Sequence, residues 1–473
     1  MKSRFLFTLC LLAISTSFFI SCSEDDTPAP VVEERTEQEL TNQLVNEWVF
    51  DVMDEVYFWT SEMPDGLDQY QNPITFFDSL VFTDDRFSLI VESYDDLINS
   101  LNGVTLEAGY EFALAQSGND EVVAIITYVK PGSPAADAAL IRGDVITKVN
   151  GTTITLNNYQ SLINEIFSNH SITYLRYDEG SGTYSEQPSI SLDAVQFAEN
   201  PIYLDTVVEI DSRKIGYLVY NFFSNGSTGD NFDSKLNAKF AEFKSAGVTD
   251  FVLDLRYNSG GSIASATKIA SQLAPNVTSS DVFYRNQWNE LYTEFWQNEP
   301  DGDSRLTGYF NNPENNIGTE IDGELYILTG SRTASASELL INGLDPYMNV
   351  TIIGGTTVGK NVGSIPFEDT ENIENEYGIL PIVIRIANAD GFSEYGNGFT
   401  PLGDNNINEF NSPLAPFSSL DDPLFARAVE LITGSSMGGR KSSRLHQQGF
   451  TEIGSSLDQH LRSNKAILES VLK

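Results

Sequence analysis

The stretch from Leu328 to Glu338 reads LTGSRTASASE. An apolar strand ends here, and a helical pattern begins with Ser335 at its first turn. The N-terminus of a helix is the positive end of its dipole, so this position places a hydroxyl in a region of positive potential. The next predicted strand ends in GGTTVGK, residues 354–360. Because strands joined by a crossover helix lie close together, Lys360 can lie near Ser335.

A third stretch, LDLRYNSGG at residues 253–261, runs from a strand into a turn with paired glycines. Such a turn exposes backbone N–H groups that can hold an anion. Strands and helices alternate around these stretches over residues 205–434, which predicts a βαβ core with parallel strands. The predicted strands are Asp250–Leu255, Leu325–Thr329 and Val350–Gly354, with antiparallel strands at Gly378–Ala387, and the predicted helices are Ser262–Leu273, Ala334–Leu344 and Pro423–Ile432.

Residues 36–102 predict a small N-terminal helical domain. Thr36 and Glu39 form a capping-box pattern ahead of apolar residues at helical spacing. A second helical stretch is expected around Ile74–Leu101. The whole chain is therefore expected to be a multidomain α/β protein.

The β-rich region 103–195 contains a segment, residues 129–151, that closely resembles a bacterial PDZ domain. PDZ domains bind an extended peptide by adding it to a sheet edge, while loop amides hold its terminal carboxylate. The resemblance assigns this loop to Ala108, Gly109, Tyr110, Glu111 and Phe112. The alternative is a packing module between domains that binds no peptide.

Composition excludes several classes of function. The 473 residues are 41% hydrophobic and include 27 Lys and Arg against 67 Asp and Glu, for a formal net charge of −40. Such a surface repels nucleic acid. The two cysteines, Cys10 and Cys22, lie at the N-terminus, and the three histidines stand far apart. We therefore expect no disulfide framework, no metal site and no cofactor.

Residues 1–21 have the form of a secretory signal, with Lys2 and Arg4 ahead of an apolar run. This segment and Cys22 resemble a bacterial lipoprotein signal, in which the cysteine becomes the lipidated first residue. The resemblance implies a protein of the cell envelope that meets the membrane only through its lipid anchor, on an acidic tether at 22–35. The alternative is a plain signal peptide with an incidental cysteine.

The three glycine- and serine-rich stretches, together with the PDZ-like segment, resemble the C-terminal processing peptidases, also called tail-specific proteases. The resemblance covers roughly residues 40–434. It implies polypeptide substrates cut near their C-termini through an acyl-enzyme, with Ser335 as nucleophile and Lys360 as base. It assigns the oxyanion hole to the backbone N–H groups of Gly261 and Ala336, and Ser337 is the alternative nucleophile.

A lysine acts as a base only when it is neutral, so its pKa must be lowered by burial or by neighbouring cations. Lys360 is the only charged residue between positions 352 and 366, which favours such a lowering. Four residues later, where the family commonly has a glutamine that holds the lysine, this chain has Ser364. A serine has a shorter reach for the same purpose.

The resemblance assigns residues 196–434 to a protease domain, and there are two rival interpretations. The pattern 354–360 is close to a phosphate-binding loop, but Asn361 stands where Ser or Thr must reach Mg²⁺, and Pro366 interrupts the helix that should follow. The second rival is a lipid-anchored PDZ protein that binds peptides without cutting them. Residues 435–473 carry a net charge of +3, and this basic tail is expected to be separate from the core with no assigned function.

Overall fold

The computed structural model describes residues 35–117, 120–227, 229–436 and 451–468. The predicted signal at 1–21 and the lipidation site Cys22 lie outside the described residues. None of the helices within these ranges combines the length and the apolar character needed to cross a membrane.

The N-terminal domain consists of three helices and one short strand: α1 (Glu37–Val56), α2 (Pro73–Leu80), β1 (Leu89–Val91) and α3 (Tyr94–Leu101). The predicted capping box is confirmed, since Thr36 Oγ1 accepts the Glu39 N–H at 3.2 Å and Glu39 Oε2 accepts the Thr36 N–H at 2.7 Å. The single helical stretch predicted around Ile74–Leu101 is wrong in its middle. There, Asp85 Oδ1 accepts the N–H groups of Phe87 and Ser88, which turns the chain into β1.

The PDZ domain is built on an antiparallel sheet with two short helices. Its elements are β2 (Val104–Glu107), β3 (Tyr110–Ser117), β4 (Glu121–Val129), α4 (Pro134–Asp137), β5 (Val145–Val149), β6 (Thr152–Thr153), α5 (Tyr159–Glu165), β7 (His170–Asp178), β8 (Thr183–Glu186) and β9 (Ile190–Leu192). The sequence pattern of residues 104–114 predicts one strand, but the structure divides this stretch between β2 and β3. Gly109, with φ +89°, turns the chain between β2 and β3, and a Cβ there would collide with the Ser133 side chain.

The protease domain is built on a five-stranded sheet in the order β11-β12-β13-β17-β18, parallel from β12 onward. Its elements up to α7 are β10 (Val195–Ala198), β11 (Ile202–Ile210), β12 (Arg213–Tyr220), α6 (Phe232–Ala246), β13 (Asp250–Asp254), β14 (Gly260–Ser262) and α7 (Ile263–Leu273). The remaining ones are β15 (Val282–Gln287), α8 (Glu290–Asn298), α9 (Asp303–Leu306), β16 (Thr307–Tyr309), β17 (Glu324–Thr329), α10 (Ala336–Leu344), β18 (Asn349–Gly354), β19 (Val362–Ser364), β20 (Phe367–Glu368), β21 (Gly378–Leu380), β22 (Ile382–Asn388) and α11 (Pro423–Thr433).

Both faces of this sheet are buried, which explains the continuous apolar runs of its strands. Leu253 and Ile327 pack on one side in the core that includes α6, α7 and α10. Val252 and Leu328 pack on the other side against α11. The predicted βαβ core is therefore confirmed, and both β17 and β18 end at the edge where Ser335 and Lys360 follow.

The composition of the tail predicts that it is separate from the core. The structure contradicts this prediction. β23 (Thr451–Ser455) pairs antiparallel with β3 at the edge of the PDZ sheet. β24 (Lys465–Ile467) lies between β14 and β19 in a second protease-domain sheet, ordered β14-β24-β19-β22-β15-β16. The local charge pattern could not reveal these contacts, because the partners lie hundreds of residues earlier in the chain.

Candidate active site

Ser335 lies at the sharp turn between the end of β17 and the start of α10. Its backbone has φ +63° and ψ −111°, a conformation that non-glycine residues rarely adopt. The side chain is 1% exposed, and its Oγ has no hydrogen-bond partner among the described residues. The strained turn therefore presents a buried hydroxyl that is not engaged in holding the fold together.

Ser337, the alternative nucleophile, is in a different situation. Its Oγ donates to the carbonyl oxygen of Asn258 at 3.1 Å. This bond ties α10 to the loop after β13 and occupies the Ser337 proton. The geometry thus favours Ser335 of the two serines as a reacting group.

Lys360 is buried, at 1% exposure, and its Nζ also has no hydrogen-bond partner in the described part of the chain. The ring centroid of Phe87, from the N-terminal domain, lies 5.2 Å from the Nζ. Burial holds the pKa of Lys360 well below its usual range, and the positive charge of Lys465 lowers it further. A neutral amine is therefore accessible here at a much lower pH than for a lysine in water.

Glu338 connects these two residues. Its Oε2 accepts the backbone N–H of Ser335 at 2.7 Å and that of Lys360 at 2.8 Å. Its Oε1 accepts the Thr357 hydroxyl at 2.5 Å and the Gly359 N–H at 2.6 Å. Through Glu338 Oε2, two hydrogen bonds thus link the backbone at Ser335 to the backbone at Lys360.

The sequence reasoning used Glu338 only to locate Ser335 and missed this structural role. The signal was present, because Ser335 and Glu338 have the S-x-x-E spacing of a capping box. Burial raises the pKa of Glu338, while its four donors oppose that effect. Because the Glu338 carboxylate accepts all four of these hydrogen bonds, they favour its charged form.

Ser335 and Lys360 are brought to one site, but no hydrogen bond joins their side chains in the described structure. Hydrogen bonds between catalytic groups are often long without substrate and shorten in the reacting complex. Ser364, on β19, also has a buried Oγ without a partner, and no bond joins it to Lys360. Its predicted role in positioning the lysine stays a prediction.

The glycine turn of β14 lies directly beside Ser335. A Cβ built on Gly260 would lie 2.8 Å from the Ser335 Cβ and would collide with the Lys465 carbonyl oxygen, so only glycine fits. Phe223 bonds to the Gly260 carbonyl and the Ser262 N–H. Because backbone groups alternate along a strand, the Gly261 N–H points to the opposite side, toward β24. Ala336 opens α10, where backbone N–H groups lack intrahelical partners.

The predicted peptide-binding loop is engaged by the tail. The Phe112 N–H donates to Ser456 Oγ at 2.9 Å, and Ser455 Oγ donates to the Phe112 carbonyl at 2.9 Å. Ser456 also bonds to Glu111. Behind Phe112, the carbonyl oxygens of Ala108 and Gly109 accept bonds from Ala135 and Lys130, which fixes the shape of the loop.

Glu107, Glu111 and His460 form a buried cluster with the geometry of a possible metal site. The Lys130 ammonium already lies 2.7 Å from an oxygen of each glutamate. Burial alone would raise the pKa of Glu111, but Lys130 and His460 hold it well below its usual range. The two carboxylates thus share one ammonium, which also lies 3.1 Å from Glu199.

Comparison with known proteins agrees with this architecture. The Peptidase S41 N-terminal domain matches residues 45–89, a PDZ domain matches residues 125–168, and Peptidase family S41 matches residues 214–381. A CtpA-like serine protease, so named, from Staphylococcus aureus (strain N315) is 24% identical over 286 residues, covering 60% of this chain. The chain spans 50% of the length of that relative.

Two further relatives extend the match. A carboxyl-terminal-processing protease from Picosynechococcus is 26% identical over 61% of this chain and 63% of its own length. A crystal structure assigned to the S41 proteases, from Bacteroides fragilis, is 27% identical with a TM-score of 0.66, covering 82% of this chain and 97% of its own. In this order, the three matches assign to the chain an N-terminal domain, a PDZ domain and a catalytic-domain region like those of peptidase family S41, with the fold of a solved S41 protease.

Proposed function

We propose that this protein is a serine endopeptidase that cuts polypeptides near their C-termini with a Ser335–Lys360 dyad. One observation carries the proposal: Glu338 Oε2 accepts the backbone N–H groups of both Ser335 and Lys360. Among the described residues, neither the buried Ser335 hydroxyl nor the buried Lys360 amine, whose pKa is lowered, has a hydrogen-bond partner. The names of the relatives support the class of reaction and the C-terminal site of cleavage.

In the proposed reaction, Ser335 Oγ attacks the carbonyl carbon of the scissile bond while neutral Lys360 Nζ takes the hydroxyl proton. The tetrahedral intermediate collapses to an ester on Ser335, and the Lys360 ammonium gives its proton to the departing amine. Water then attacks the ester and gives a proton to Lys360, which returns it to Ser335 Oγ. Donors such as the Gly261 and Ala336 N–H groups each lower such barriers by about 2.7–4 kcal/mol.

The test measures cleavage of a disordered polypeptide by the wild type, Ser335→Ala and Lys360→Met. Both variants should lose at least about a thousandfold in kcat with little change in KM, because they remove groups that act in the transition state. Ser337→Ala and Lys235→Glu serve as matched controls that keep the activity. Undiminished cleavage by Ser335→Ala would rule out the dyad. A protein that binds peptides but cuts none would instead support the alternative function, a lipid-anchored PDZ protein without peptidase activity.

For the PDZ domain, we propose that it recruits substrates by their terminal carboxylates. Substrates with free and with amidated C-termini should then differ in KM more than in kcat. Equal KM values would show that the carboxylate is not what the domain recognises.

We also propose that Cys22 carries a lipid that holds the protein in the bacterial envelope. Cys22→Ser should move the protein from the membrane fraction to the soluble fraction. Retention of this variant in the membrane would contradict the anchor.

A further inference from the structure

Residues 451–468, here called the tail segment, lie along both peptide-handling surfaces of the molecule. β23 extends the PDZ sheet as an antiparallel edge strand on β3. β24 then enters the protease domain and pairs in parallel with β14 on one side and with β19 on the other. One segment of 18 residues thus connects the edge of the PDZ sheet to the turn beside Ser335.

The pairing on β3 has the form by which PDZ domains bind peptides, an added strand held by main-chain bonds. Thr451 lies opposite Gln116 and Ser455 opposite Ala113. Immediately afterwards, Ser456 Oγ accepts the Phe112 N–H, one of the amides assigned to the carboxylate-binding loop. The tail segment therefore covers the edge and part of the loop that an incoming peptide would use.

Between the two strands, the tail segment contributes His460 and Arg462 to a buried acidic pocket. Glu107, Glu111 and Glu199 are all buried around one cation of the PDZ domain, Lys130. His460 Nε2 lies 2.8 Å from Glu111, and Arg462 donates to Glu199 at 2.5 Å. Three buried carboxylates with one lysine are under-compensated, and buried charges require partners. The pocket thus favours a bound segment with basic side chains.

In the protease domain, the tail segment lies against the groups assigned to catalysis. Ala466 is opposite Gly261, whose N–H points toward β24, and Ile467 is opposite Ser364. The Lys465 side chain reaches in toward Lys360 and donates to the Phe87 carbonyl at 3.0 Å. An extended substrate cannot pair with β14 while β24 is paired with it.

We infer that the tail segment is an intramolecular inhibitor: it occupies the PDZ edge, the acidic pocket and the catalytic groove together, and the enzyme stays latent until a polypeptide with its own basic side chains displaces it. This inference rests on the proposed peptidase function. It assigns His460 and Arg462 of the tail segment the task of matching the acidic pocket.

The direct test compares the full chain with a chain that ends at Gly434. The shortened chain should cut a disordered substrate at least tenfold faster, and the synthetic peptide 451–468 should inhibit it in competition with substrate. A peptide with Arg462→Glu should bind at least tenfold more weakly, because it adds a fourth carboxylate to the pocket that holds Glu107, Glu111 and Glu199. A shortened chain that melts at the wild-type temperature but is no more active would overturn the inference.

Because shortening removes a strand from a sheet, a second variant keeps the chain intact. Arg462→Glu in the full chain should raise kcat/KM several-fold, while Lys235→Glu, an equal charge change on the exposed surface of α6, should leave it unchanged. Equal rates for these two variants and the wild type would also overturn the inference.

Binding of the labelled peptide is measured by fluorescence anisotropy on the shortened chain carrying Ser335→Ala, so it does not depend on cleavage. Saturable binding supports the inference even if no substrate is ever cut, in which case only the proposed function fails. Absence of binding overturns the inference even if the protease is active.

Discussion

Lys360, the proposed base, carries a cost to stability. Burial lowers its pKa in the folded protein, whereas the unfolded chain takes up a proton with the ordinary pKa of about 10.4. Between these two pKa values the unfolded state binds more protons than the folded state. Stability therefore rises with pH through this window, and the penalty is largest at and below the folded pKa.

Lys360→Met should consequently raise the free energy of unfolding at pH 7, by about 1.4 kcal/mol for each unit by which the fold lowers the pKa. The gain should shrink as the pH approaches 10, and thermal melts of the two proteins across pH 6–10 measure it. Lys235→Met, on the exposed surface, is the control and should show no such pH-dependent gain. A Lys360→Met protein that is less stable at pH 7 would contradict the lowered pKa.

At the scale of elements, Glu338 fixes α10 relative to the loop after β18. A glutamine in its place keeps one acceptor oxygen but replaces the other with a donor. Two of the four donors on Glu338, either those of Ser335 and Lys360 or those of Thr357 and Gly359, would then face an NH₂ group. Buried donors left unsatisfied cost about 1–3 kcal/mol each.

Glu338→Gln should therefore lower the free energy of unfolding by about 2 kcal/mol or more, and it should reduce kcat far more than KM. Denaturant melts and steady-state kinetics measure the two effects. Loss of stability with an unchanged kcat would show that Glu338 holds the fold without positioning the dyad. Glu242→Gln, the same change on the exposed surface of α6, is the control and should leave both quantities unchanged.

The elements near the site could be predicted from local sequence because each has a local cause. The apolar runs of β13, β17 and β18 reflect burial on both faces, and the Thr36–Glu39 pattern caps α1 as expected. The helix expected through residues 81–93 failed because Asp85 binds backbone N–H groups and Ser93 caps a new helix. The role of the tail could not be predicted, since it depends on buried contacts with distant residues.

At the scale of the whole molecule, the N-terminal domain covers the amine of Lys360. The Arg86 guanidinium donates to the Gly359 carbonyl at 3.1 Å, and this contact places the neighbouring Phe87 ring over Lys360. The domain is thus part of the environment that keeps the amine out of water. Its distance from the site in sequence hides this connection.

Phe87→Ala should admit water to Lys360 and bring its pKa closer to the ordinary value. The acid limb of the pH profile of kcat/KM should then move to higher pH, with activity at neutral pH falling severalfold. Phe82→Ala, in the same loop, is the control for lost packing. An unshifted limb would show that Phe87 only contributes to packing.

β24 also has a consequence for how the protein is made. Among the described strands it is the last to be synthesised, yet it lies inside a sheet, between β14 and β19. A growing chain therefore carries two open strand edges, those of β14 and β19, for about one hundred residues of synthesis after β19. Open edges attract other strands, including those of neighbouring chains. The interval before the tail arrives is the period in which a nascent molecule is most exposed to aggregation.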